Sequence, residues 1–398
     1  MFYRLNGQAQ HYIWGGKTYI PQCFQLPVDD KIYAEWWLGA HPSAPSILVK
    51  DNTEYNLADY IAQFPHVLGE KSQQQFGQKL PYLLKILDVV QPLSIQLHPT
   101  KKEAEIGFAR ENAEGIDLKD ANRSYKDDNH KPEMMIALSD FWLLHGFKSK
   151  DAILKTLYAR PSLMPLAEQL ENQLLKDFYA TVMQASQTQL VQWLLPVIQA
   201  NQVAYRENCL SLENPDYWVI YALEAMDISL EKLDAGLLCF YLFNLVHLKQ
   251  GEGIFQDAGI PHAYLRGQNI ELMACSDNVI RGGLTLKYVD IPELLKIIDC
   301  QEITPKIIPA ADPSEGYHTY QTPSQDFALA NLNYQSGSEC NLVAMSAEVL
   351  LVMQGKLQIT AENQTLSVQQ GEALFIEADT QYRIQGEEQG YAIIAKLP

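Results

Sequence analysis

Over roughly the first 148 positions, short apolar runs alternate with turn residues. Pro45 to Val49 and Leu93 to His98 have strand character, and Asn56 to Phe64 has helical spacing. This predicts a β-rich unit with helical decoration. From about Lys150 to Leu233 the pattern changes: Leu166, Leu170, Leu174, Phe178 and Val182 recur at helical intervals among Glu, Gln and Lys. Strand signals almost vanish there, which predicts an all-helical insert whose leucine stripe serves packing. The most apolar stretch, Ala235 to Leu248, is too short for a bilayer and contains Asn244 and His247, so it is read as a core helix. Strand character then returns in two waves, Gly251 to Val289 and His318 to Leu397.

The two waves repeat one another. GEGIFQDAGIPH begins at Gly251 and reaches His262 eleven positions on; GEALFIEADTQY begins at Gly371 and reaches Tyr382 at the same distance. The layout resembles the second sequence motif of the cupin superfamily, with Gly251, Gly259 and His262 matching and Asp257 in place of its proline. Physically, a strand enters a tight turn and the next strand points a ligand into a small double-sheet barrel, a jelly roll. In the second copy Tyr382 replaces the histidine and Asp379 the second glycine, so the C-terminal barrel is expected to hold no metal in this way.

Composition narrows the function. A chain of 398 residues, 47% apolar and 20% charged, suits two or three globular domains. A net charge of −18 argues against nucleic acid or an anionic membrane as partner, and makes any local cluster of Lys and Arg informative. Cys23, Cys209, Cys239, Cys275, Cys300 and Cys340 stand singly, as reduced thiols of a cytosolic protein would. The first residues, MFYRLNGQAQHYIWGG, lack the apolar core of a signal peptide.

Gln96 and His98, two apart in a strand-like run, share a face. Glu133 opens another apolar run after Pro132, and His262 holds the cupin ligand position. Two imidazoles, a carboxylate and an amide oxygen suit a catalytic zinc ion with one open position, although manganese or iron accepts the same donors. Spacing alone leaves this four-ligand set open. Lys85 interrupts an apolar stretch, Lys131 precedes Glu133 by two, and His130, Arg281 and Lys287 lie near the ligands in sequence. Their convergence would make a phosphate site. Asp277, Asn278, Gly282 and Gly283 surround Arg281, where glycines allow close backbone approach to a ligand.

The stretches AEWWLGAHPSAPS, PYLLKILDVVQPLSIQLHPTKKEAEIGFARENAEGID, DNHKPEMMIAL and PHAYLRGQNIELMACSDNVIRGGLTLKYVDIPEL resemble type I mannose-6-phosphate isomerases, in family order and over essentially the whole chain. The resemblance implies one zinc ion held by Gln96, His98, Glu133 and His262, a catalytic Arg281, and Lys131 and Ser94 at the substrate and its phosphate. Leu286 stands where the family commonly has proline, which weakens the case for Lys287. The expected architecture is mainly β with an α insert: tandem cupin jelly rolls plus an all-helical domain. The boundaries are 1–148 with 234–310 for a discontinuous catalytic cupin, 149–233 for the insert, and 311–398 for a cupin-like unit without metal ligands.

The expected reaction interconverts mannose 6-phosphate and fructose 6-phosphate through an enediol. Lys131, His130, Asp277 and Glu271 compete as base, with Glu271 alternatively orienting a ligand. Lys85, Glu271 and Lys287 are expected to help hold the substrate, and the protein is read as a cytoplasmic monomer. A sugar-phosphate sensor lacking catalysis and an iron-dependent cupin oxygenase are the rivals. The first would have lost a ligand or charged residue, and the second would prefer a histidine-rich site.

Overall fold

In a computed structural model, residues 1–27, 29–362 and 364–398 are described. The chain is mainly β, in a ten-stranded, an eight-stranded and a four-stranded sheet, with helices between. The ten-stranded network is organised by one long strand, His262–Ala274. Its start pairs with Phe141–Phe147, and its remainder pairs with Tyr82–Val89 on one side and Glu133–Ala137 on the other. The change of partners occurs where the register slips between Tyr264 and Arg266, next to Gly267. Gly267 has φ +129°, and a Cβ there would lie 2.6 Å from the Phe141 ring, so only glycine permits the bend. One strand thereby serves two sheets and curls them around a shared interior.

The sequence repeat is also a backbone repeat. Gly251 and Gly371 both turn through the left-handed region, at φ +87° and +83°, and so do Gly259 (+74°) and Asp379 (+60°). Each pair of turns brackets a short strand, Gly253–Gln256 or Ala373–Ile376. In the second copy the Tyr382 hydroxyl donates to Glu348 at 2.7 Å, inside an apolar core where Leu350, Leu374 and Ile394 of the eight-stranded sheet meet Leu357, Ile359 and Ile384 of the four-stranded one.

Four expectations change. The eight-stranded sheet recruits Phe2–Asn6, Ile47–Lys50 and Thr53–Asn56, so the stretch 1–148 does not keep its strands in one sheet. Phe2 is fully buried in the C-terminal core, which apolar alternation alone could not assign to a partner. Ala235–Leu242 is helical, but Phe243–Leu248 is a strand paired with Phe141–Phe147, because a β-rich neighbour offers a ladder that outweighs local helical preference. The leucine stripe is broken: Leu174, 75% exposed, caps a helix start between Met164–Glu171 and Leu175–Met183, while Leu166, Leu170, Phe178 and Val182 are buried. Of the strand expected at Leu93 to His98, only Gln96–Leu97 is regular.

From Lys150 to Ala225 the regular elements are all helical. Their apolar faces share one core with Leu97, Leu144, Phe147, Ala263 and Leu265 of the ten-stranded network, so the helices complete that network's outer surface. Arg266 clasps the junction, its guanidinium 5.5 to 5.9 Å from the ring centres of Tyr217, Trp218 and Tyr221. Among the described residues no helix is long and apolar enough to cross a membrane.

Burial raises the Glu348 carboxyl from about 4.5 to about 7, with Tyr382 and Lys396 opposing it. Between those values the unfolded chain ionises before the folded one, so stability is lost as pH rises through the window, by about 3 kcal/mol in all. Glu348→Gln should therefore raise the thermal midpoint at pH 8 and leave it nearly unchanged at pH 4, as scanning calorimetry at both values would reveal.

Candidate metal centre

Three segments bring the expected ligands together. His98 closes the short extended run, after which Thr100 starts the helix Lys101–Ala113 with a capping box to Glu103. His262 opens the long strand after the Gly259 turn, and the Gly259 N–H donates to the His98 carbonyl at 2.9 Å, locking the turn against the first ligand. Glu133 opens Glu133–Ala137. All three are at most 1% exposed, and their ligand atoms lie within 4.8 Å of one another.

The hydrogen bonds fix the imidazole tautomers. His98 Nδ1 donates to the Asn278 carbonyl at 2.8 Å and His262 Nδ1 to the Ile260 carbonyl at 3.0 Å; a carbonyl only accepts, so each Nδ1 carries the hydrogen. Each Nε2 is then a bare lone pair, and each sits 3.3 Å from an oxygen of Glu133. Those contacts are close enough for ion pairs, yet His98 Nε2, His262 Nε2 and Glu133 Oε2 have no hydrogen-bond partner. The tautomers resolve the difference: the approaches join acceptor to acceptor. Burial lowers His98 to about 4, keeping it neutral at pH 7. Burial pushes the Glu133 carboxyl upward, but Lys131, 3.1 Å from Oε1, outweighs that and holds it well below the usual range. Two neutral nitrogens and a carboxylate facing one point fit a divalent cation of the zinc type, and the carbonyl-anchored Nδ1 atoms match the usual support of metal-bound histidines.

Gln96 is placed beside them by register. Its Cα partners are His262 on one strand and Arg281 on another, and His262 is in turn paired with His145, so His145, His262, Gln96 and Arg281 form one cross-strand row on one face. Ser94 is half-buried just ahead, between backbone bonds from Leu93 to Tyr264 and from Ile95 to Gly283.

The expected convergence of cations divides in two. Lys85 lies between Glu271 (3.1 Å) and Glu35 (3.5 Å). Burial alone would lower its pKa, but Glu35 and Glu271 raise it, so it balances internal carboxylates where a phosphate-binding role was expected. Glu271 also accepts from the Tyr264 hydroxyl at 3.0 Å, and burial followed by Glu133 raises it. Arg281 is the opposite case: it is lowered by burial alone, with no carboxylate among the described residues compensating it. Burial lowers both Lys126 and Lys287; Arg123 and then Arg281 lower Lys126 further, against Glu111 and Asp120, and Arg281 lowers Lys287 further. Leu286 beside them is 97% exposed.

Sequence reading missed Lys126, hidden in the acidic run SYKDDNHK, and the hub role of Asn278. The Asn278 amide donates to the carbonyls of Asp127 and Asn129, both at 2.8 Å, and accepts from the N–H of Lys126, while its own carbonyl anchors His98. His130 and Asp277 stand at the rim of a cavity of about 790 Å³, together with His41, Lys79, Lys101 and Lys126. His130 Nε2 is 2.9 Å from Asp326, and Asp277 is 3.3 Å from His41, whose hydrogen bond is the main cause of its lowered pKa. No local signal could have linked His130 to a partner 196 positions away.

The family model described as phosphomannose isomerase type I, catalytic domain, matches residues 2–150. Mannose-6-phosphate isomerase of Escherichia coli (strain K12) is 33% identical over 384 residues, covering 94% of this chain and 95% of its own. The Homo sapiens mannose-6-phosphate isomerase is 33% identical over 403 residues, covering 94% and 93%. A crystal structure of zinc-bound mannose 6-phosphate isomerase superposes with TM-score 0.88 at 32% identity, covering 100% of this chain and 99% of that one. The Salmonella typhimurium enzyme bound to fructose 6-phosphate and zinc gives 0.87 at 31% identity with the same coverage.

If the three orphaned atoms bind a cation, zinc at a hundredfold excess over its Kd should stabilise the protein by about 2.7 kcal/mol. Thermal melts with zinc and with chelator should differ for the natural chain, and the difference should vanish in Glu133→Ala and His262→Ala.

Proposed function

The chain belongs to the type I phosphomannose isomerase family, and from that membership we propose that it interconverts D-mannose 6-phosphate and D-fructose 6-phosphate with one zinc ion per chain. The observation that carries this reading is the buried meeting of His98, Glu133 and His262, whose facing acceptors need a cation. Gln96, next to His262 in register, completes the proposed ligand set with a neutral oxygen, leaving the ion a net positive charge. When bound, zinc supplies Lewis-acid stabilisation of the negative charge that builds on the substrate oxygens.

The chain's own groups do the rest. Isomerisation removes the proton on the carbon beside the aldehyde, passes through an enediol, and returns a proton to the former carbonyl carbon, so atoms balance without a co-reactant. Lys131, His130 and Asp277 are the proposed proton carriers. His130 is oriented by Asp326 and Asp277 by His41, whereas Lys131 is tethered to Glu133. Arg281, a half-buried guanidinium without a carboxylate of its own, is suited to hold anionic oxygen in the transition state or the phosphate. Ser94, Lys126 and Lys287 extend that role, and holding the distant phosphate would orient the reacting carbons. Lys85 and Glu271 form a buried ion pair on the two strands that lie side by side there.

We assign the architecture to tandem cupin jelly rolls with a helical insert at 149–233, the first roll drawn from 1–148 and 234–310 and the second from 311–398. The N-terminal strands that join the second sheet are lent across that boundary. A cytoplasmic monomer acting on a small sugar phosphate accords with the acidic surface.

Purified protein given mannose 6-phosphate and zinc should produce fructose 6-phosphate, detected by coupled assay; no conversion would sink the proposal. Arg281→Ala should keep its zinc by elemental analysis while turnover falls about a hundredfold or more, and near-normal turnover would remove Arg281 from its assigned role.

A further inference from the structure

The backbone that follows Arg281 is held from two sides. On one side Gly282 donates its N–H to the Ile95 carbonyl at 2.8 Å, and Ile95 donates to the Gly283 carbonyl at 2.9 Å. Ile95 precedes Gln96, the Cα partner of Arg281, so this grip continues the strand pairing. On the other side stands Asp234, half-buried, which the proposed mechanism does not use. Its Oδ1 accepts the N–H of Gly236 at 2.6 Å and that of Leu284 at 2.9 Å, and its Oδ2 accepts the N–H of Thr285 at 3.2 Å. One carboxylate thereby joins the short turn Ala235–Leu238, where the helical section returns to the sheets, to the segment just beyond Arg281.

The backbone around that carboxylate is demanding. Leu284 sits in the left-handed region at φ +52°, with its side chain 1% exposed in the core it shares with Ile95, Leu237 and Leu238. A branched residue keeps such a conformation only where its surroundings hold it, and the charge-assisted bond from its N–H to Asp234 supplies that hold. The two chain segments also meet with no room for side chains. A Cβ on Gly283, at φ +115°, would lie 2.7 Å from the Gly236 Cα, and a Cβ on Gly236 would lie 2.6 Å from the Leu284 nitrogen. Capping the turn at Ala235–Leu238 requires only the Gly236 bond; the other two bonds serve the segment after Arg281. We propose that Asp234 is a positioning residue for Arg281: it fixes the backbone beyond the arginine, so that the guanidinium meets the substrate in one place. This rests on the role that the proposed function gives to Arg281. Displacing such a group by about 1 Å can cost about a hundredfold in rate.

The test is Asp234→Asn, made alone and together with Arg281→Ala. Asparagine caps turns as well as aspartate does, but its amide offers a single oxygen and turns an NH2 donor against at least one N–H of the segment, whichever way it is rotated. The single variant should keep the zinc content and melting temperature of the natural chain, exchange amide hydrogens faster across residues 282–287, and lose about ten- to a hundredfold in kcat/KM for mannose 6-phosphate. In the Arg281→Ala background the same substitution should lower kcat/KM no further, because two changes that act through one group are not additive. A folded Asp234→Asn with natural hydrogen exchange or natural kcat/KM overturns the inference. An equal fall in both backgrounds also overturns it, since that is what a general structural role gives. Should Asp234→Asn fail to fold, Asp234→Ser, which leaves one oxygen for the turn, goes through the same cycle with the same overturning results. A natural chain unable to convert mannose 6-phosphate removes the proposed function and this inference together, whereas an active natural chain with an indifferent Asp234→Asn removes this inference alone.

Discussion

Everything at the site depends on three acceptors buried against each other. An imidazole lone pair 3.3 Å from a carboxylate oxygen is repulsive, and here it occurs twice, in an interior that water cannot relieve. Backbone carbonyls hold each ring in the tautomer that makes the clash, so rotating a hydrogen into the gap would leave a carbonyl unsatisfied. A divalent cation turns the same three groups from mutual repulsion into attraction, which is why fold and metal are coupled in such centres.

Charge is segregated around that point. Lys85 and Lys131 pair with buried carboxylates, which lets Glu133, Glu271 and Glu35 remain in a dry interior. Among the described residues Arg281 has no carboxylate that offsets its burial. In a chain of net charge −18, a half-buried guanidinium without a carboxylate partner among the described residues is the group to which the proposed function gives the anionic substrate. The cross-strand row places it one position beyond Gln96, so Arg281 and the proposed ligand Gln96 share one sheet face.

The second copy of the repeat illustrates how one backbone carries different chemistry. Its two left-handed turns follow those of the first copy, yet Tyr382 meets Glu348 where His262 meets Glu133. A hydroxyl donor satisfies the carboxylate directly, so this pair closes on itself within an apolar core. Its sheet instead accepts the N-terminal strand Phe2–Asn6, which binds the two ends of the chain together.

Much of this was legible in the residues. The interval from Gly251 to His262 and its echo from Gly371 to Tyr382 fixed the turns, because only a few residue types tolerate positive φ and the spacing sets which side chain follows. The meeting of His98, Glu133 and His262 was legible as donor chemistry, and the helices of the middle section as apolar period. Tertiary structure alone decided the partners: that Lys85 faces Glu271 and Glu35, that His130 meets Asp326, that Asn278 braces His98, and that Phe243–Leu248 joins a sheet when local preference favours helix. The reason is physical. Periodicity and turn chemistry act within a few residues, whereas pairing, burial and charge compensation depend on groups that approach only after distant strands have found their register.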